Sequence, residues 1–308
     1  MRIIIAGGSG LIGRALTEDF VSDGHNVIVL SRNPTTATGL PAGARAERWD
    51  AKTVDGWGGL VEGADAIVNL AGENLAGGGF LPSRWTAERK EQIQNSRLDA
   101  GQAIVEAVEA ASEKPRVLVQ SSAIGFYGPR DDEIITEDSP AGLDFLAQLC
   151  VDWEASTEPV EKMGVRRVVI RTGVLLDSDG GALPRLLLPY KLFAGGPFGN
   201  GRQYYAWIHA ADEVAAIRFL IENDGAHGVY NLTAPSPVTN AAFGKALGQV
   251  LNRPSLIPVP GFAMRALLGD VTTIVLDGQR VVPKRLQESG FEFKFPEIEG
   301  ALRDLVSS

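Results

Sequence analysis

Gly7-Gly8-Ser9-Gly10-Leu11-Ile12-Gly13 follows directly on the apolar run Ile3-Ile4-Ile5-Ala6 and continues as Arg14-Ala15-Leu16. A phosphate-binding strand–turn–helix unit needs one glycine where the chain bends, a second where backbone approaches a pyrophosphate, and a third where helix packs on strand. Gly7, Gly10 and Gly13 have that spacing. The amides and dipole at the start of the helix favour the diphosphate, which adds Ser9, Leu11 and Ile12 to the binding candidates. The stretch predicts a dinucleotide site at the start of a Rossmann-type α/β domain.

Working outward, short β-branched runs alternate with longer amphipathic stretches, the pattern of a doubly wound parallel sheet. Strands are expected at 2–6, 26–30, 44–49, 66–70, 117–121 and 167–171, with helices at 11–23, 86–111 and 144–163. Asp144 is a candidate cap for the last of these, lacking the glutamate that would complete a capping box. After Arg171 the chain turns glycine- and proline-rich, as in Ala194-Gly195-Gly196-Pro197, and a loop over 180–210 is expected to close over a ligand. Helices at 211–223, 240–251, 263–268 and 283–289 and a strand at 230–232 follow. These suggest a Rossmann domain of residues 1–172 plus 212–233, and a smaller substrate lobe of 173–211 and 234–308.

Ligands of such a sheet lie across the carboxyl ends of its strands. The second strand ends Leu30-Ser31-Arg32-Asn33, with no acid to hold the ribose hydroxyls of NAD. Arg32 can pair with a 2′-phosphate through its planar fork, and Ser31 can add a hydrogen bond, so NADP(H) is the expected cofactor. Other strand ends add Leu70, Ala71, Gly72, Glu73 and Ser121, and Arg97 lies on a helix expected to face the cofactor.

A net charge of -9 without a basic run argues against nucleic acid as a partner. Cys150 is the single cysteine, which excludes an internal disulfide and fits a reducing cytoplasm. The apolar start is too short for a signal-peptide core or a membrane span. Three scattered histidines give no support for a metal site.

Taken together, residues 7–13, Asn69-Leu70-Ala71-Gly72, Ser121-Ser122-Ala123-Ile124-Gly125-Phe126-Tyr127-Gly128 and Trp207-Ile208-His209-Ala210-Ala211-Asp212 resemble the extended short-chain dehydrogenase/reductase superfamily. Arg84-Trp85-Thr86, Asn95-Ser96-Arg97, Asp152-Trp153-Glu154, Gly199-Asn200-Gly201-Arg202-Gln203 and Gln279-Arg280-Val281-Val282-Pro283 narrow this to its atypical "epimerase family" branch. Members are labelled NAD-dependent epimerase/dehydratase-like and end in a small domain of unknown function. The resemblance implies a homodimer packed through two long helices.

The superfamily normally works with a Tyr-x-x-x-Lys pair on the helix after the fifth strand and a hydroxyl at that strand's end. Here Leu146 and Cys150, or in the neighbouring register Phe145 and Leu149, fill the two positions. Ala123 stands where the hydroxyl is expected, with Ser122 beside it. Tyr127 is either a substitute proton donor or a pocket wall, and His209 either acts in catalysis or helps set a helix start. Glu73 can reach a substrate or an arginine. Arg84, Arg97, Arg171 and Arg202 are candidates to surround an anionic small-molecule substrate. Cys150 reads as a small buried hydrophobe rather than a nucleophile. Two functions remain open: an NADP(H)-dependent oxidoreductase or epimerase-like enzyme, and a catalytically degenerate protein that binds NADP(H) as a sensor.

Overall fold

The computed structural model describes residues 1–36, 39–77, 79 and 82–307. Among these, seven parallel strands form one sheet: β1 (Arg2–Ala6), β2 (Asn26–Ser31), β3 (Ala44–Arg48), β4 (Ala66–Asn69), β5 (Val117–Ala123), β6 (Arg166–Thr172) and β7 (Gly228–Leu232). Their spatial order is β7-β6-β5-β4-β1-β2-β3, so the direction of winding reverses at β1, between β2 and β4. That reversal opens a crevice at the carboxyl ends, the standard dinucleotide position of this architecture.

The apolar run in β1 is unbroken because both faces of the strand are covered. Ile3 and Ile5 join one core with Leu16 and Phe20 of α1 (Leu11–Ser22) and Ile217 and Leu220 of α5 (Ala210–Glu222). Ile4 and Ala6 point the other way, into a core with Ala100, Ile104 and Val108 of α2 (Ala87–Ala110). All four β1 residues are fully buried, and the period of two assigns alternate side chains to opposite layers.

The helix expected over 144–163 is two elements. Asp144 caps α3 (Phe145–Ala155) by accepting from the Ala147 amide at 2.9 Å. The helix stops at Ala155, and a separate 3-10 turn, Glu158–Met163, begins with Pro159 in its first turn. Proline has no amide to continue the α-helical ladder but is tolerated at a helix start.

Beyond β6 the chain builds a second core from Leu183, Leu187, Tyr205, Trp207, Phe243, Leu247, Leu302 and their neighbours. The region expected to be a glycine-rich loop contains α4 (Leu183–Lys191), which buries Leu183, Leu187 and Tyr190 on one face. That i, i+4, i+7 pattern is legible in the sequence but masked by Pro184 and Pro189; Pro184 falls in the first turn, where it is compatible with a helix. The lobe also holds α6 (Asn240–Leu251), α7 (Gly261–Leu268) and a C-terminal helix, Ile298–Ser307, that the sequence reading did not anticipate. The last buries Ile298, Ala301, Leu302 and Leu305. No helix among the described residues is long and apolar enough to cross a membrane.

Candidate functional site

At the switch point two of the glycines are required by their surroundings. Gly7 has φ +78°, and a Cβ there would lie 2.8 Å from the Leu70 carbonyl; a Cβ at Gly13 would lie 2.5 Å from the Cα of Gly8. The turn and the β4 end are therefore in backbone contact. Helix α1 starts after Gly10 with no side-chain cap, leaving its amides to another acceptor. A crevice of about 250 Å³ runs past this point, lined by Gly7, Ser9, Gly10, Ser31, Arg32 and the stretch Leu70, Ala71, Gly72, Glu73. Leu30, Trp49, Ala51 and Ser96 complete it; the last three, after β3 and on α2, are brought there only by the fold, and Leu30 adjoins Ser31 at the end of β2.

Leu11, Ile12 and Gly13 form the first turn of α1 rather than the crevice wall. Leu11 touches the segment at Gly180, Ile12 packs against the first core, and Gly13 is buried. Ser121, 8% exposed, sits near the carboxyl end of β5.

Arg32 stands at the open end, its side chain 70% exposed, with Nη1 donating to Glu73 Oε1 at 3.0 Å. Glu73 also lies 3.6 Å from Arg89. The carboxylate thus holds Arg32 across the crevice mouth while the other guanidinium donors remain for an incoming anion.

Arg97 is 7% exposed and lies behind Gly72, whose absent Cβ would meet its Cζ at 3.1 Å. It donates to the Ile93 carbonyl and stacks 4.7 Å from the Trp153 ring centroid, while its Nε has no hydrogen-bond partner among the described residues. Burial lowers its pKa to about 10, so the guanidinium stays charged. A cation therefore projects from α2 toward the α3 residues where a lysine would ordinarily stand.

The candidate proton donors are interior groups. Tyr127 is fully buried; its hydroxyl donates to Asn231 Oδ1 at 2.7 Å and accepts from Arg171 Nη1 at 3.0 Å. Burial raises its pKa above the usual 10. Ser122, 3% exposed, donates to Glu154 Oε1 at 2.6 Å, and Glu154 takes both Nε and Nη2 of Arg171 at 2.8 Å. These side chains form one satisfied network joining β5, β6, β7 and α3. Tyr127 thus fits neither a pocket wall nor a reachable acid, because its ring and hydroxyl are both enclosed.

His209 is elsewhere. Its Nδ1 accepts from the Ala211 amide at 3.0 Å, capping α5, and its ring stacks on Phe295 with centroids 3.9 Å apart. Burial lowers its pKa below 6.5. Cys150 is buried, and desolvation raises its thiol to about 11, far from a reactive thiolate. Among the described residues no group of three potential metal ligands occurs.

The arginines expected around an anion do not converge. Arg171 is committed to Glu154, Arg84 donates to the Ala266 carbonyl, and Arg202 lines a separate cleft with Asp131 and Asp132. Between the Rossmann sheet and the second lobe lies instead a cavity of about 490 Å³ with mostly apolar walls. Its wall takes up the chain directly after the crevice residue Glu73. Asn74 and Leu75 follow Glu73, Val174 follows the β6 end, and Gly181 packs near Leu11.

These features agree with comparisons to known proteins. A family model described as NAD(P)H-binding matches residues 7–215, and a domain of unknown function, DUF1731, matches 259–305. The chain is 38% identical over 314 residues to the chloroplastic epimerase family protein SDR39U1 homolog of Arabidopsis thaliana, covering 99% of this chain and 87% of that protein. It is 38% identical over 317 residues to epimerase family protein YfhF of Bacillus subtilis (strain 168), covering 100% and 98%. The crystal structure of human epimerase family protein SDR39U1 (isoform2) with NADPH superposes with a TM-score of 0.88 at 33% identity, covering 100% of this chain and 99% of that one. With its glycine turn, parallel sheet and C-terminal domain accounted for, the chain belongs to the NAD(P)H-binding epimerase family.

Proposed function

We propose that the chain is an NADP(H)-dependent oxidoreductase of the cytoplasm that acts on a small molecule held between its two lobes. The observation that carries this reading is Arg32 at the mouth of a glycine-lined crevice, with no acid following β2. The crevice suits the diphosphate and adenosine part of a dinucleotide. The free α1 amides and the bare backbone of Gly7 and Gly10 suit a diphosphate, and Arg32 with Ser31 suits a 2′-phosphate. Arg97, charged and short of one partner, would hold the nicotinamide-side ribose from behind Gly72.

When bound, NADPH supplies a hydride from nicotinamide C4. The chain's own contribution is to bind and orient. With Leu146 and Cys150 in place of the usual tyrosine and lysine, and Tyr127 and Ser122 locked in their network, the proton for the substrate oxygen comes from solvent. An epimerase, which must remove and return a hydride with matched proton transfers, is less well served by this arrangement.

Fluorescence titration of NADPH and NADH tests the cofactor assignment. NADPH is expected to bind at least tenfold more tightly, and Arg32→Ala to weaken NADPH by about 10- to 100-fold while leaving NADH nearly unchanged, as for loss of a charge-assisted hydrogen-bond pair. Equal affinities in the unmodified protein would overturn it. A second reading, a sensor that binds NADP(H) without turnover, is favoured by the enclosure of Tyr127 and Ser122. Exchange of label at nicotinamide C4 with a carbonyl or alcohol substrate would exclude it.

A further inference from the structure

The cavity beside the crevice has the wrong chemistry for a nucleotide sugar. Its walls come from both lobes: Leu75 from the loop after β4, Val174 from the segment after β6, Leu186 from α4, and Leu268, Val271 and Val275 from the C-terminal domain. The few polar side chains in these walls each already have a partner. Arg185 Nη2 donates to the Gly79 carbonyl, Thr272 Oγ1 to the Gly269 carbonyl, and Tyr205 Oη to the Val275 carbonyl. Arg185 is the single charged side chain in these walls, too little to offset the lost hydration of a diphosphate, and sugar hydroxyls would find few free partners.

Resting on the oxidoreductase reading for the position of the nicotinamide, we propose that this cavity binds a lipophilic substrate, an aliphatic chain carrying a carbonyl or alcohol group. Its volume, about 490 Å³, falls in the range of small-molecule sites that enclose most of a ligand's surface. In this proposal the reactive end of the chain lies toward Val174, next to the carboxyl end of β6, and the tail runs toward Leu268 and Val275. Residues 259–305, the domain without an assigned function, thereby gain one: they supply the apolar wall that closes over the tail. Ile274 and Leu188, both partly exposed at the cavity margin, extend the apolar surface outward.

The test uses the full chain and measures binding of hexanol, octanol and decanol by calorimetry, with UDP-glucose as the polar comparator. If each methylene is buried, affinity rises about three- to fourfold per carbon, giving on the order of a hundredfold between hexanol and decanol. Val275→Trp and, on a different element, Leu186→Trp fill the cavity and are expected to abolish decanol binding while NADPH affinity is retained. Affinity that is flat with chain length, decanol binding that survives both folded tryptophan variants, or tight UDP-glucose binding with none of decanol would overturn the proposal. Because alcohol binding is read without turnover, loss of NADPH binding in the unmodified protein would count against the oxidoreductase reading alone. If a tryptophan variant fails to fold, the chain-length series in the unmodified protein still decides.

Discussion

At the scale of single residues, the same side chain can look catalytic in sequence and be structural in space. Tyr127 follows a strand end and precedes a glycine, as a substrate-facing tyrosine would, yet its hydroxyl is fixed between Asn231 and Arg171, 104 and 44 positions away. Nothing local specifies those partners. Tyr127→Phe is therefore expected to destabilise the fold by about 1–3 kcal/mol, the cost of leaving buried partners unsatisfied, and to leave turnover nearly unchanged. A proton donor would instead lose about 10²- to 10⁴-fold in kcat. Chemical denaturation and steady-state assays on one preparation separate the two. Gly7 was legible because its conformation depends on immediate neighbours in a turn.

Among elements, α5 links the two lobes. His209 caps its first turn, and Asp212, only 1% exposed, accepts from the Lys294 and Phe295 amides at 2.8 and 2.9 Å. The Ile208-His209-x-x-Asp212 segment thus works as a clamp on the strand of chain that leads into the C-terminal helix. Asp212→Ala should cost about 2–4 kcal/mol by orphaning two amides beside a removed carboxylate. Hydrogen exchange is expected to accelerate over 293–307 more than over the sheet, and uniform acceleration would contradict the clamp. The motif was visible in sequence, but its partner was not, since amides 82 and 83 residues downstream leave no trace in composition. Helix α4 was missed for a different reason: two prolines outweighed an apolar period that tertiary burial made decisive.

For the molecule as a whole, one buried acid connects stability to pH. Glu213 is fully buried, accepts from Thr172 Oγ1 at 2.7 Å, and is pushed by desolvation from an ordinary 4.5 up to about 8. The folded state then keeps a proton that the unfolded chain has released between those two values. Its contribution is fully present below about pH 4.5 and is lost as pH rises through about 8. Thermal unfolding is expected to show a lower Tm at pH 8 than at pH 6, with Glu213→Gln flattening that difference; an unchanged slope in the variant would refute the assignment. The sequence by itself determined the parallel sheet and the glycine turn, because strand alternation and glycine spacing act over a few neighbouring positions. Only the tertiary structure decided which polar groups are sealed inside and which residues wall the apolar cavity. Enclosure depends on packing between segments far apart in the chain: the apolar cavity takes walls from residue 74 through residue 275, and no local pattern encodes their meeting.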